Sequence, residues 1–321
     1  MRIRSLRKSS ELRPIVNRTA EIGQNDTLLF CTLRNERKHL PFFLEDYRNL
    51  GVGHFFFVDN ASTDGCGDYL AQQTDVSLWS TKASYKRSHF GVDWQNYLLT
   101  RYGCDHWALV VDVDEFFVYP FCDTRPLSAL TDWLDGASVS SFSAMLIDVY
   151  PKASLADSEY REGQNPLEIA EYFDAGNYAI SRNEKYGNLW IQGGPRARVF
   201  FANDPEHAPA LNKIPLVRWK RGNVFISSTH MLLPRGLNLT YGEWGGEKAS
   251  GCLMHSKFLN TFQEKAEEEA ARNQHYRNSA EYKAYRKGIR EIPGLWCKWS
   301  EKYINWRQLE ILGLMSKGNW I

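Results

Sequence analysis

The chain has 321 residues, enough for one large α/β domain or two smaller ones, with 43% apolar and 24% charged residues and a net charge of +1. That balance gives no reason to expect nucleic acid as a partner. The six cysteines are dispersed without a C-x-x-C pair, which argues against a zinc site and a disulfide scaffold and fits a reducing, cytoplasmic setting.

Residues 1–25 are basic (Arg2, Arg4, Arg7, Lys8, Arg13 and Arg18 against Glu11 and Glu21) and are expected to form a flexible tail. The same charge suits peripheral contact with anionic lipid at the inner face of the membrane. No apolar run approaches the length of a bilayer span, and the N-terminus lacks the apolar core of a signal peptide. Thr27–Thr32 reads as a first buried strand, followed by Arg34-Asn35-Glu36. Leu40, Phe43, Leu44 and Tyr47 have helical spacing, and Gly51 stops that helix. His54–Val58 is a second strand closed by Asp59-Asn60-Ala-Ser62-Thr63-Asp64-Gly65, a loop dense in turn formers. A short helix over 68–73, a strand over 76–80 and a helix over 94–102 come next. His106–Val111 is then a strand that delivers Asp112-Val113-Asp114-Glu115-Phe116.

Strands alternating with helices predict an α/β fold with a mostly parallel central sheet and flanking helices. Three strand ends carry polar residues, and in a parallel sheet such ends share one edge, where open α/β folds bind ligands. Asp112 and Asp114, two apart on an extended backbone, would face the same way with Cα atoms about 6 to 7 Å apart. Their repulsion would be cancelled by a divalent cation, Mg²⁺ or Mn²⁺, that leaves coordination positions open for phosphate. The bland alternative is a solvated turn, but Val-Val before the acids and Phe-Phe after them argue otherwise. No G-x-G-x-x-G and no G-x-x-x-x-G-K-[ST] follows the first strand, so a nucleotide would be held by side chains and metal.

Further on, 138–149 is β-like, 150–177 reads as a loop with a short helix, and 223–232 reads as a strand containing His230, taken as a core histidine. Arg196 and Arg198 flank a Gly-Pro turn and could grip phosphate. Trp94 and Asn96 open the helix before the acidic strand and are expected to face a donor. A charged helix is expected over 262–289, with its acids and bases on a solvated face.

The chain resembles family-2-like glycosyltransferases of the GT-A (nucleotide-diphospho-sugar transferase) fold. The resemblance is carried by Thr32-Leu-Arg34-Asn35-Glu36, by Phe57-Val58-Asp59-Asn60-Ala-Ser62-Thr63-Asp64-Gly65 and by Val111-Asp112-Val113-Asp114-Glu115-Phe116, with His255-Ser256-Lys257-Phe258 as a later histidine segment. It is specific over about 27–120 and loose to about 270. It implies a catalytic domain over 26–260, with a nucleotide-binding half to about 120 and an acceptor half beyond, and a helical extension over 261–321. It also implies that Asp59, with Asn60 beside it, contacts the base or ribose, and that Arg34 and Glu36 line the nucleotide pocket. Asp112 and Asp114 would hold the metal on the diphosphate, and His255 would be a late metal or phosphate contact. The implied activity is metal-dependent, inverting transfer from a nucleotide-sugar, by default a UDP-sugar, to a saccharide or lipid-linked acceptor. Candidates for the base are Asp148, Glu243 and Glu247, with Glu243 first because it sits on a Gly-rich loop. The rival readings are a metal-dependent nucleotidyltransferase or phosphohydrolase, and a carbohydrate-binding protein on a degenerate transferase fold.

Overall fold

The computed structural model describes residues 1–241, 248–272, 274, 285 and 294–321. Its centre is a sheet assembled around Thr27–Leu33 (β2), which pairs in parallel with Val52–Asp59 (β3) on one side and Trp107–Val110 (β5) on the other. Val76–Ser80 (β4) extends the parallel run beyond β3, and Arg13–Val16 (β1) closes that edge antiparallel. Past β5 come Asn212–Arg218 (β11), Ser141–Tyr150 (β7), Gly251–His255 (β14) and Glu115–Val118 (β6), in that order, while Tyr172–Asp174 (β8) and Ser300–Lys302 (β15) branch from β7. Seven of these eleven strands run one way and β1, β6, β8 and β11 run the other. The expected α/β class, with helices flanking a mainly parallel sheet, is therefore what the chain forms. Two hairpins lie apart: Tyr178–Arg182 (β9) with Leu189–Gly193 (β10), and Val224–Ser227 (β12) with Met231–Leu233 (β13).

Alternation of side chains along the strands builds two cores. Leu29, Cys31, Leu33, Phe55, Phe57, Leu109 and Val111 face one side, where they meet helices Leu40–Leu50 (α2), Cys66–Ala71 (α3) and Leu127–Gly136 (α5). Their neighbours Leu28, Phe30, Phe56, Val58, Ala108 and Val110 face the other, against Val92–Tyr102 (α4). Apolar residues at every position are what a strand covered on both faces requires. Helix α2 buries Leu40, Phe43, Leu44 and Tyr47, the stripe its spacing foretells, and stops at Gly51, whose φ of +100° a residue with a Cβ would resist. A third cluster, with Tyr150, Leu155, Phe258, Phe262 and Ala266, seats Phe262–Arg272 (α6) at the end of β7.

The structure corrects several expectations. Residues 1–25 are not a loose tail: Arg2–Lys8 (α1) ties to α4 through Arg4 and Asp93 at 2.7 Å. Strand β1 pairs with β4, and the Arg18 guanidinium donates to the carbonyls of Val76 and Ala71 at 3.0 Å each. The basic side chains have backbone and carboxylate acceptors that composition alone does not reveal. The strand expected over 223–232 is a hairpin, turned at Ser228 with φ +45°. The C-terminal residues are not purely helical, since β15 adds to the sheet ahead of helix Trp306–Ile311 (α7). Of the helix expected over 262–289, the described helical run is α6, and most of the remainder lies outside the described residues. No helix among the described residues is long and apolar enough to cross a membrane.

Candidate active site at the carboxyl edge of the sheet

Register brings the strand ends together. Leu33 pairs with Asp59 and Phe30 with Val110, so the loops after β2, β3 and β5 leave the sheet at one edge. Arg34 stitches the first two loops, its Nη1 donating to the carbonyls of Asn60 at 2.9 Å and Ala61 at 2.6 Å. Asn35 completes the seam: its N–H donates to Ser62 Oγ at 3.0 Å and its Oδ1 accepts from Thr63 N at 2.9 Å.

Sheet curvature brings in the fourth and fifth strand ends. Strand β5 ends at Val110 and β6 begins at Glu115, yet β11, β7 and β14 lie between them in the sheet. Four flat strand spacings are about 19 Å. The five residue steps from Val110 to Glu115 reach about 18 Å fully extended, and this segment is bent. The sheet therefore curls, and the curl carries the ends of β7 and β14 against the turn that holds Asp112 and Asp114. Those aspartates sit on this turn, closed by Glu115 N donating to Asp112 O at 3.1 Å, rather than on the extended strand expected. Both still line the resulting cleft, because Val113 between them points into the core.

The cleft is open to solvent and is lined by Arg34, Glu36, Asn60, Asp112, Asp114, His255, Lys257, Lys265, Glu269 and Arg272, among others. Behind it runs a buried charge relay. Arg196 Nε donates to Asp148 Oδ2 at 2.7 Å, Asp148 Oδ1 lies 2.6 Å from His255 Nδ1, and His255 Nε2 lies 3.4 Å from Asp114 Oδ2. Burial pushes the Asp148 carboxyl up, but Arg196 and His255 more than reverse this and hold it below the usual range. Burial likewise opposes ionisation of Asp114, and His255 and Lys265 overcome it, holding that carboxyl well down. Burial would lower His255, and the two aspartates raise it instead. Lys265 reaches both Glu36 and, at 3.9 Å, Asp114.

Asp112 behaves differently. Its side chain keeps 53% exposure, yet withdrawal from bulk water into the cleft and the charge of Glu115 push its carboxyl up to about 7. Lys213 opposes that push, its Nζ 3.0 Å from Glu115 Oε1 and 4.0 Å from Asp112 Oδ2. Among the described residues no group of three or more His, Cys, Asp or Glu side chains forms a ready metal cage. The donors lining the cleft are the carboxylates of Glu36, Asp112, Asp114 and Glu269 with the His255 imidazole, which is fixed from behind by Asp148. A carboxylate on the far ring nitrogen is how proteins orient a ligating histidine.

The sequence-derived candidates fare unequally. Arg34, Glu36, Asn60, Asp112, Asp114 and His255 share one cleft. Asp59 stands at the rim but is not among the residues lining that cleft, and its Oδ1 accepts from Ser62 N at 2.9 Å, which shapes the loop. Trp94 does not face the cleft: it is fully buried, with Nε1 donating to Glu11 Oε2 at 2.9 Å. Asn96 likewise is spent on the backbone of Phe225. Arg196 is 4% exposed and serves Asp148 rather than an exposed phosphate. Asp148, with both oxygens engaged and 2% exposure, is a poor proton acceptor for an incoming hydroxyl. Arg198 is engaged by Asp174 at 2.8 Å. His230 is half-buried and is satisfied within the fold, as expected of a core histidine rather than a ligand: its Nδ1 lies 2.6 Å from the carbonyl of Asn212 and its ring lies near Trp190. Glu243 and Glu247 lie outside the described residues.

Sequence reasoning missed Lys213, Glu115, Lys265 and Arg272. Glu115 stood inside the acidic motif, and Lys213 in a basic-aromatic run with nothing local to aim it at the acids. Lys265 and Arg272 were read as part of a solvated helix face, whereas α6 lies over the cleft.

The fold and its rim define an α/β protein with an acid-floored, cation-roofed cleft at the carboxyl edge of its parallel strands. No family model matches the chain, and no curated protein does. Among solved structures it is similar to a Bacillus anthracis protein assigned as a glucose-1-phosphate thymidylyltransferase, in complex with a sucrose. That likeness has 9% identity and a TM-score of 0.28, over 90% of this chain and 95% of that one. It decides nothing about the chemistry of this chain, which rests on the rim itself.

Proposed function

We propose that this chain is a metal-dependent glycosyltransferase of the GT-A type, moving a sugar from a nucleotide-sugar, by default a UDP-sugar, to a saccharide or lipid-linked acceptor with inversion. The observation that carries the reading is the meeting, in one cleft, of Arg34 and Glu36 from the first rim loop, Asn60 from the second, Asp112 and Asp114 from the turn after β5, and His255 from β14. Residues more than 200 positions apart share no folding reason to place three acids, a histidine and several cations around an open space. A diphosphate held on a cation gives them one.

Asp112, Asp114 and His255 would hold Mn²⁺ or Mg²⁺ together with the diphosphate oxygens, a sparse protein donor set of the kind such ions accept beside phosphate. When bound, the ion supplies neutralisation of the charge that develops on the departing diphosphate. Arg34, Lys257, Lys265 and Arg272 add fixed positive charge to the same space, and Lys265 exchanges its contacts with Glu36 and Asp114 for phosphate oxygens. Asp148 and Arg196 act from behind by holding His255 in one orientation. The acceptor proton is assigned to Glu243, on sequence grounds alone. The exposed Ile3 and Leu6 among the arginines of α1 suit peripheral contact with an anionic cytoplasmic membrane face.

Titration calorimetry of UDP with and without Mn²⁺, followed by a screen of UDP-sugars for slow metal-dependent hydrolysis, tests the reading. Metal-dependent binding and release of UDP support it. Release of pyrophosphate from a nucleoside triphosphate and a sugar phosphate points to nucleotidyl transfer instead, and sugar binding indifferent to metal points to a lectin-like protein.

A further inference from the structure

Helix α6 lies over the cleft, and its two ends are held by different physics. At its start it is seated in apolar packing, with Phe262 and Ala266 buried in one cluster with Tyr150, Leu155 and Phe258. Beyond that seat its grip on the rim is polar. Lys265 reaches Glu36, with Asp114 Oδ2 at 3.9 Å. The Glu268 carboxylate accepts from Arg34 Nε at 3.1 Å and from Asn35 Nδ2 at 3.3 Å. Just past the helix, the Gln274 side-chain oxygen accepts from Ser84 Oγ at 2.6 Å.

These contacts form a matched set. Arg34 and Glu36 share the first rim loop, and Glu268 and Lys265 share one turn of the helix, so a cation and an anion on each side meet their opposites. Each helix partner also resembles what the cleft is built to take. The Lys265 ammonium beside Glu36 and Asp114 stands where a divalent cation would be drawn. The Glu268 carboxylate on Arg34 and Asn35 offers the same kind of acceptor oxygens as a phosphate. The strength of the pairs suits a temporary hold. Side-chain exposure is 24% for Arg34, 37% for Glu268 and 28% for Lys265. Ion pairs this open to water each shift an equilibrium by about fivefold or less, which a bound cation and diphosphate together can outcompete.

We infer that α6 is a clasp that keeps the empty cleft closed by imitating its ligand. Lys265 takes the place of the cation beside Glu36 and Asp114, Glu268 takes the place of an anion on Arg34 and Asn35, and both pairs break before the cleft is loaded. The apolar seat at Phe262 is the end that stays. The inference rests on the nucleotide-sugar reading above and adds how access to that site is regulated.

The test reads the helix and the ligand separately. Amide hydrogen exchange over 262–272 in the ligand-free protein should rise about three- to fivefold in Glu268→Gln and in Lys265→Gln. It should keep the wild-type rate in Glu267→Gln, which removes the same charge from the exposed neighbouring position. Calorimetry of UDP in Mn²⁺ should show Glu268→Gln binding about three- to fivefold tighter than wild type, because less of the protein is held in the closed form, with Glu267→Gln within about 1.5-fold of wild type. Mn²⁺ alone should bind Lys265→Gln about threefold tighter or more. If UDP in Mn²⁺ binds neither the wild type nor Glu268→Gln, the glycosyltransferase reading fails and this inference with it. Where UDP does bind, exchange unmoved in both clasp variants, an affinity for UDP or Mn²⁺ that does not rise, or a gain that Glu267→Gln reproduces overturns this inference alone.

Discussion

Asp148→Asn is the sharpest probe of the relay behind the cleft. The change is nearly isosteric, but it removes the one carboxylate that faces both the Arg196 guanidinium at 2.7 Å and the His255 ring at 2.6 Å. Side-chain exposures of 5% for Arg196 and 1% for Asp148 leave no water to take over. Breaking a buried pair by removing one partner costs about 3–5 kcal/mol, because the remaining charge stays buried and unmatched. The asparagine oxygen still accepts one hydrogen bond, which places the expected loss near 3 kcal/mol. At about 2–4 °C per kcal/mol for a domain of this order, the melting temperature should fall by roughly 6–12 °C. Differential scanning fluorimetry and urea unfolding would measure it. Adding Arg196→Met to Asp148→Asn should recover part of the loss, since the charge that Asp148 balanced is then gone. A single variant that melts within a degree of wild type, or a double variant less stable than the single one, would refute the idea that Asp148 balances a buried Arg196.

Asp114→Asn should lower Mn²⁺-dependent UDP affinity at least 100-fold by calorimetry while costing less stability than Asp148→Asn; an unchanged metal dependence would remove Asp114 from the ion site. Burial first, and Glu45 second, push the Asp46 carboxyl up to about 6. Its neutral form is therefore the one the fold favours, and its contribution is fully present below about pH 4 and lost as pH rises through about 6. Asp46→Asn should accordingly match wild type in unfolding free energy at pH 4 and exceed it at pH 7.5 by about 1–2 kcal/mol, after a discount for the partial contact of Asp46 with water; an equal offset at both pH values in urea unfolding would show that its titration is not the cause. Replacing Ile3 and Leu6, 72% and 66% exposed, by serine should abolish co-sedimentation with vesicles containing phosphatidylserine and spare UDP binding; undiminished sedimentation would place the membrane contact elsewhere.

The sequence alone carried the parts of this protein that depend on near neighbours in the chain. Apolar runs and helical spacing located β2, α2, β3, β4, α4 and β5, because burial on two faces leaves a local signature. Polar residues at the ends of β2, β3 and β5 marked the rim, since parallel strands joined by helices must end on one side. Asp112 and Asp114 stood out for the same reason.

What the sequence could not carry depends on contacts between distant segments. The pairing of β1 with β4 decides that residues 1–25 are ordered. The parallel pairing of β14 with β7 sets Asp148 beside His255, and Arg196 reaches Asp148 from the segment after β10. Those long-range contacts turn a candidate base into a buried counter-ion and a candidate phosphate ligand into its partner. Trp94 followed the same logic: a helix start points toward a ligand only if the N-terminal segment does not cover it first. The cations Lys213 and Lys265 had no local reason to face acids, because charge pairing acts through space and the distances that govern it exist only once the chain has folded.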